Sequence, residues 1–202
     1  MSAAGERIFI DGAAGKIEMV VDRPASPPRG VALVAHPHPL YGGTLDNKVV
    51  QTLARTFLEL GYVALRPNFR GVGNSEGVHD EGRGETEDLL RVAAHAKEAF
   101  GDLPLVLAGF SFGAAVQTQV AQRTSPLRVV LVGVAVDRFP SAAVPGDSIV
   151  IHGERDETVP LAKVLDWARP QELPVVVIPG ADHFFHLRLN VIKNIVKGSW
   201  RY

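Results

Sequence analysis

The 202-residue sequence contains no cysteine, which at once excludes disulfides, thiolate metal sites, iron–sulfur clusters and a cysteine nucleophile. Any covalent catalyst in it must attack through oxygen or nitrogen. Charge of one sign is also in short supply: 21 Lys and Arg face 22 Asp and Glu, a formal net charge of −1, and the basic residues are scattered along the chain. This denies it the basic footprint that neutralises nucleic-acid phosphates, and no nucleic-acid partner is expected. Long hydrophobic runs are missing too. The longest apolar stretch, Val129 to Val136, has a glycine inside it and is far too short to span a bilayer, so no membrane partner is expected. The segment from Met1 to Asp11 carries Glu6, Arg7 and Asp11 and lacks the positive region and apolar run of a signal peptide; the expectation is a soluble cytoplasmic protein.

What is present is a chain of 46% hydrophobic residues, long enough for one domain over residues 1–202 that buries about 70% of its unfolded surface. Short runs rich in Val, Ile and Leu recur without strict alternation: Gly30 to Ala35, Tyr62 to Leu65, Leu103 to Ala108, Arg128 to Val136, Ser148 to Ile151 and Val175 to Ile178. Such runs suit strands buried on both faces. Between them lie stretches whose apolar positions recur three or four apart: Asn47 to Leu60, Glu85 to Phe100, Phe112 to Arg123, Leu161 to Arg169 and a last one from about Phe185 to Val196. Alternating strand and helix predict an α/β fold with a mainly parallel sheet and helices on both faces. Arg7 to Ile10 and Lys16 to Val21, joined by a Gly/Ala turn, read as an antiparallel pair at one edge. No repeat or low-complexity segment appears, and no feature marks a subunit contact.

The chemistry gathers at strand ends. Gly109-Phe110-Ser111-Phe112-Gly113 stands between a buried strand and a helix. In so tight a turn the serine backbone is strained, the glycines prevent collision between strand and helix, and the hydroxyl is aimed outward. The competing reading is an ordinary turn in which Ser111 caps the helix. A serine nucleophile needs a base, and a histidine base needs a carboxylate on its other nitrogen. Asp156 follows the Ser148 to Ile151 strand, and His183 follows Val175 to Ile178, so both fall at strand C-terminal ends on the same edge as Ser111. His186 is the rival base, on the last helix. Among the other histidines, His152 reads as a structural hydrogen-bonder, and His79 and His95 as surface loop and helix positions. Glu154, Glu157 and Asp182 are rival acids. The pairs His36/His38 and His183/His186 lack a third ligand at a recognisable spacing, so no metal is expected, and no cofactor is needed.

An oxyanion requires backbone N–H groups. Phe112, after the nucleophile, supplies one; the other falls to the loop Ala35-His36-Pro37-His38-Pro39-Leu40-Tyr41-Gly42-Gly43, where the prolines lack an N–H and the donors are His38, which we favour through its main chain, and Leu40. Arg70-Gly-Val-Gly-Asn-Ser-Glu-Gly77 imitates a dinucleotide loop, but its third glycine is misplaced and no helix starts there; Ser75 gains no support as a nucleophile.

Together with Asn68 to Gly77, the segments Gly109 to Gly113, Gly153 to Pro160, Ala181 to Phe185 and His36 to Gly43 resemble the α/β-hydrolase superfamily. More narrowly, the chain from Gly30 to about Trp200 looks like the small bacterial carboxylesterase-type members related to the dienelactone hydrolases. The resemblance implies a Ser111–Asp156–His183 triad with Phe112 and His38 as oxyanion donors, acting on a small-molecule ester or thioester. Two departures qualify it. Dienelactone hydrolases use cysteine as nucleophile, so their substrate does not carry over. Only Asp137 to Asp147 separates Val136 from the next strand, where many relatives insert a cap, so the site is expected to be lidless, with Leu40, Tyr41, Phe110, Phe139 and Phe184 as substrate contacts. Thioesterase, amidase or peptidase chemistry would use the same residues, and a hydrolase fold idle in catalysis is the alternative from another class.

Overall fold

The computed structural model describes residues 5–200. Met1 to Ala4, where the leader reading begins, and the last two residues of the 1–202 domain span lie outside the described residues. In chain order the elements are β1 (Glu6–Gly12), β2 (Gly15–Asp22), β3 (Gly30–Ala35), α1 (Lys48–Glu59), β4 (Tyr62–Pro67), α2 (Arg83–Phe100), β5 (Leu105–Phe110), α3 (Phe112–Arg123), β6 (Arg128–Val132), β7 (Ile149–Gly153), α4 (Leu161–Ala168), β8 (Val175–Ile178) and α5 (Leu189–Ser199). The strands form one sheet in the order β1-β2-β4-β3-β5-β6-β7-β8. The pairs β1/β2 and β2/β4 are antiparallel and every other pair is parallel, as the alternation of elements and the N-terminal hairpin predict.

Burial explains why the central strands read as unbroken apolar runs. In β3, Val31, Leu33 and Ala35 enter the core layer shared with α2, α3 and α4, while Ala32 and Val34 enter the layer shared with α1 and α5. Both faces are dry, so the period of two is present in space but absent from the polarity pattern. Each large side chain in these layers, such as Phe57 or Leu53 of α1, contributes about 1.5–3 kcal/mol by leaving water. The α1 helix starts at its N-cap, where the Asn47 side chain accepts from the Val49 and Val50 N–H groups. At the far end of the chain, Trp200 packs edge-on against Phe57 and Tyr62.

Two elements differ from expectation. The run Arg128 to Val136 is strand only to Val132; Gly133, at φ +55°, turns the chain, and Val134 and Ala135 are buried outside the ladder. The last helix begins at Leu189 and not at Phe185, because Phe185 (φ 53°) and Leu187 (φ 59°) take left-handed conformations that no α-helix admits. His186 therefore sits in a turned segment before α5.

The arrangement fixes where a site belongs. Going from β3 the chain crosses to β4 on one side and to β5 on the other, so the strand order reverses between β3 and β5, and the loops leaving these two strands open a crevice at their C-terminal ends. No helix lies between β6 and β7, and no cap domain covers that edge.

Candidate active site

Ser111 occupies the turn between β5 and α3 at φ 55° and ψ −116°, outside the conformations that residues with a Cβ prefer, at a cost of about 1–3 kcal/mol. Its surroundings hold it there. The Ser111 N–H donates to the Val132 carbonyl at 2.9 Å, and its own carbonyl accepts from Ala115 at 3.1 Å and Ala135 at 3.3 Å. The flanking glycines are sterically required. A methyl group on Gly109 would lie 2.6 Å from the Gly113 carbonyl carbon, and one on Gly113 would lie 2.4 Å from the His36 oxygen. Ser111 stands at the N-cap of α3, but its hydroxyl makes no capping hydrogen bond there.

The hydroxyl instead meets His183. His183 Nε2 is 2.9 Å from Ser111 Oγ, and His183 Nδ1 is 2.6 Å from Asp156 Oδ2; all three residues are buried. Asp156 is itself held by the loop after β7, because its Oδ1 accepts the N–H groups of Thr158 at 2.9 Å and Val159 at 2.7 Å. A carboxylate so occupied has Oδ2 left for the imidazole, which sets the tautomer: Nδ1–H donates to Asp156, and Nε2 presents its lone pair to the serine O–H. Behind Asp156 lies His152, fully buried, whose Nε2–H donates to the Val159 carbonyl at 2.9 Å and stands 3.4 Å from Asp156 Oδ2. Burial pushes the His152 pKa down, consistent with a neutral structural hydrogen-bonder.

Two of the rivals pair with each other away from this line, and a third bonds a main-chain group. His186 Nδ1 bonds Asp182 Oδ2 at the exposed surface, and Glu154 accepts the Gly180 N–H at 2.7 Å. Ser75 is bound into the β4–α2 loop: it donates to the Asn68 carbonyl and accepts the Glu18 N–H. Burial alone would raise the Glu18 pKa, but hydrogen bonds from Asn74, Asn68 and Arg7 outweigh it and hold Glu18 at about 2. The Arg70 to Gly77 segment is thus knitted to a buried carboxylate of β2.

The loop after β3 makes one turn of 3-10 helix, Pro39–Tyr41. Here the Leu40 N–H is already committed to His38 Nδ1 at 3.2 Å, while the His38 carbonyl accepts from Tyr41 and Gly43. Of the two donors that the sequence offers, the His38 main-chain N–H is the one this turn leaves unused. His36 fastens the loop from below. It is fully buried, its Nδ1–H donates to the Pro37 carbonyl at 2.7 Å and its Nε2 accepts the Phe69 N–H at 2.9 Å. Burial drives its pKa to about 4, so it stays neutral and bridges the loops after β3 and β4. The sequence shows His36 in this loop and beside His38 but not this bridge; its partner Phe69 lies too far along the chain to leave a local signal.

A cavity of about 640 Å³ opens over Ser111 and His183, lined by Leu40, Tyr41, Phe112, Phe139 and Phe184 among others. Four of the five expected contacts are therefore in its wall. Phe110 is not. It is fully buried in the layer shared with α1 and α5, with its ring 5.1 Å from that of His183, so it supports the histidine from behind. The reason is parity: in the β5 strand Phe110 points to the opposite face from the residues at 109 and 111. Phe112, expected only as a backbone donor, supplies the ring instead. His79 is also displaced from expectation. Its side chain is nearly enclosed, 4.8 Å ring to ring from His38 and 5.4 Å from Phe112, beside Glu85. Among the described residues no three His, Cys, Asp or Glu side chains are grouped to hold a metal, and no helix is long and apolar enough to cross a membrane.

The family model described as serine aminopeptidase, S33 (Hydrolase_4), matches residues 27–171, well over half of the chain. The chain belongs to the Hydrolase_4 family. As an α/β-hydrolase it is similar to a Xanthomonas campestris α/β serine hydrolase without lid, XC6422, at 33% identity and a TM-score of 0.92 over 98% of this chain and 94% of that one. It is also similar to an α/β serine hydrolase homologue from Coxiella burnetii, at 37% identity and a TM-score of 0.89 over 98% and 99% of the two chains. The uncharacterized protein RP471 of Rickettsia prowazekii is 33% identical over 200 residues, 90% of this chain and 83% of that protein. The α/β-hydrolase fold of these relatives agrees with the sheet at whose edge this Hydrolase_4 chain carries Ser111, Asp156 and His183.

Proposed function

We propose that the chain is a serine hydrolase that cleaves carboxylic esters of small molecules through an acyl-enzyme on Ser111. The observation that carries this reading is the unbroken line of hydrogen bonds from Ser111 Oγ through His183 to Asp156, at 2.9 and 2.6 Å. In the mechanism that follows, His183 Nε2 takes the serine proton as Oγ attacks the ester carbonyl, and Asp156 stabilises the imidazolium without taking a proton itself. The oxyanion accepts from the main-chain N–H groups of Phe112 and His38, the first being one of the donors that the start of α3 leaves without a helical partner. His183 then protonates the leaving alkoxide, and water repeats the sequence to release the acid.

The walls favour an ester over a peptide. A free α-amine calls for buried carboxylate, whereas the cavity has Glu81 as its one acidic residue, exposed and turned to His79 at 3.7 Å. Leu40, Tyr41, Phe112, Phe139 and Phe184 suit an acyl chain, and the open edge suits a bulky alcohol. Ser111→Ala is expected to fold yet lose nearly all hydrolysis of p-nitrophenyl butyrate, and a fluorophosphonate is expected to label wild type on Ser111. Undiminished hydrolysis by the alanine variant would remove the reading.

A further inference from the structure

We propose that Arg138 gives the pocket its specificity, by binding an anionic group carried by the ester substrate; the inference rests on the esterase reading above. Arg138 is the one arginine or lysine that lines the cavity. Its backbone N–H donates to the Ala135 carbonyl at 3.3 Å, and Ala135 in turn donates to the carbonyl of Ser111, so the residue hangs from the nucleophile turn. Its side chain reaches the other half of the site, where Nη2 donates to the Thr158 carbonyl at 3.0 Å, in the loop whose N–H groups hold Asp156. The guanidinium of this exposed residue is thereby tied by one hydrogen bond at the rim of the pocket, between the Ser111 turn and the Asp156 loop.

Tied as it is, the group has no counter-ion. Arg66, Arg70, Arg83 and Arg123 each sit on a carboxylate, Arg70 by two bonds to Asp88. Among the described residues no carboxylate lies within ion-pair distance of Arg138; Glu81, the acidic residue of the same cavity, is exposed and stands 3.7 Å from His79. A guanidinium has five N–H donors in a planar fork, and the Thr158 carbonyl takes one. The rest are available for a carboxylate or phosphate oxygen, in a pocket whose remaining walls are mainly Leu40, Tyr41, Phe112, Phe139 and Phe184. The anion can belong to the acyl part or to the alcohol part of the ester, and the two are separable.

The test compares two matched pairs of esters: p-nitrophenyl hexanoate with p-nitrophenyl hemiadipate for the acyl side, and phenyl hexanoate with 4-carboxyphenyl hexanoate for the alcohol side. Arg138→Met is expected to lower kcat/KM for the anionic member about ten- to a hundredfold more than for the neutral member, in one pair. In wild type, added salt is expected to erode the anionic member's advantage, a measurement that needs no variant. The pair that responds tells which side bears the charge. No differential loss in either pair, or an equal loss for charged and neutral esters, overturns the proposal. Neutral-ester hydrolysis that survives Ser111→Ala overturns the esterase reading instead.

Discussion

Asp156→Asn isolates the part of the site that governs proton direction. The substitution keeps shape and volume but forces a choice on the new amide. At Oδ1 the native carboxylate accepts two backbone N–H groups, from Thr158 at 2.9 Å and Val159 at 2.7 Å. The asparagine must leave its carbonyl oxygen there, because turning its NH2 toward two N–H donors would strand both, at about 1–3 kcal/mol each. The NH2 group then faces His183 Nδ1, now 2.6 Å from Asp156 Oδ2, and the ring must accept at Nδ1 and carry its proton on Nε2. That proton points at Ser111 Oγ, and the histidine can no longer act as base. Loss of about 10⁴-fold in kcat is expected, the scale of a wrong-tautomer histidine in a serine triad. Stopped-flow acylation with p-nitrophenyl butyrate measures it, and circular dichroism confirms the fold. A variant within tenfold of wild type would refute the inference that Asp156 sets the tautomer.

The buried histidine under the β3 loop makes a pH prediction. His36 has a folded pKa of about 4 against an ordinary 6.5, so between these values the unfolded chain binds a proton that the folded one refuses. Stability present above pH 6.5 is lost as pH falls toward 4, by about 3 kcal/mol, and the unfolding free-energy difference between wild type and His36→Gln should shrink by that amount over the window. A difference constant from pH 7.5 to 4 would contradict it. Strain at Ser111 makes another: Ser111→Gly should be more stable to urea than Ser111→Ala by about 1–3 kcal/mol, since glycine alone tolerates φ 55° without cost. Equal midpoints would show the turn to be unstrained.

The elements that sequence reading located within a residue or two are those whose edges coincide with chemistry. β3, β8 and α3 match their expected bounds, Gly30–Ala35, Val175–Ile178 and Phe112–Arg123. There a glycine, a proline or the nucleophile turn punctuates an apolar run. What failed was phase. Because β5 is dry on both faces, nothing in Leu105–Phe110 says which side Phe110 takes, and only the assembled sheet places it behind His183 instead of in the pocket. The start of α5 failed for a different reason: Phe185 and Leu187 are apolar at helix-like spacing yet adopt left-handed conformations, which polarity does not encode. His36 and Arg138 were silent because their roles come from contacts with residues far away in sequence.

The positions of Ser111, Asp156 and His183 were legible because parallel strands all end on one edge. Ser111, Asp156 and His183 each follow a strand, β5, β7 and β8, and the parallel register carries those ends to the same side of the sheet. A motif at a strand end is therefore a statement about space as well as sequence. Selectivity has no such anchor. On the proposed reading, with no cap domain over the edge, discrimination falls to the walls of the pocket. The walls differ in how they are held: Phe112 is buried at the start of α3, Arg138 is exposed but hydrogen-bonded through its main chain and its guanidinium, and Tyr41 and Leu40 are 82% and 70% exposed on the loop after β3. Mutations at Leu40 and Tyr41 should therefore broaden or narrow acyl length gradually, while a change at Arg138 should act on charge.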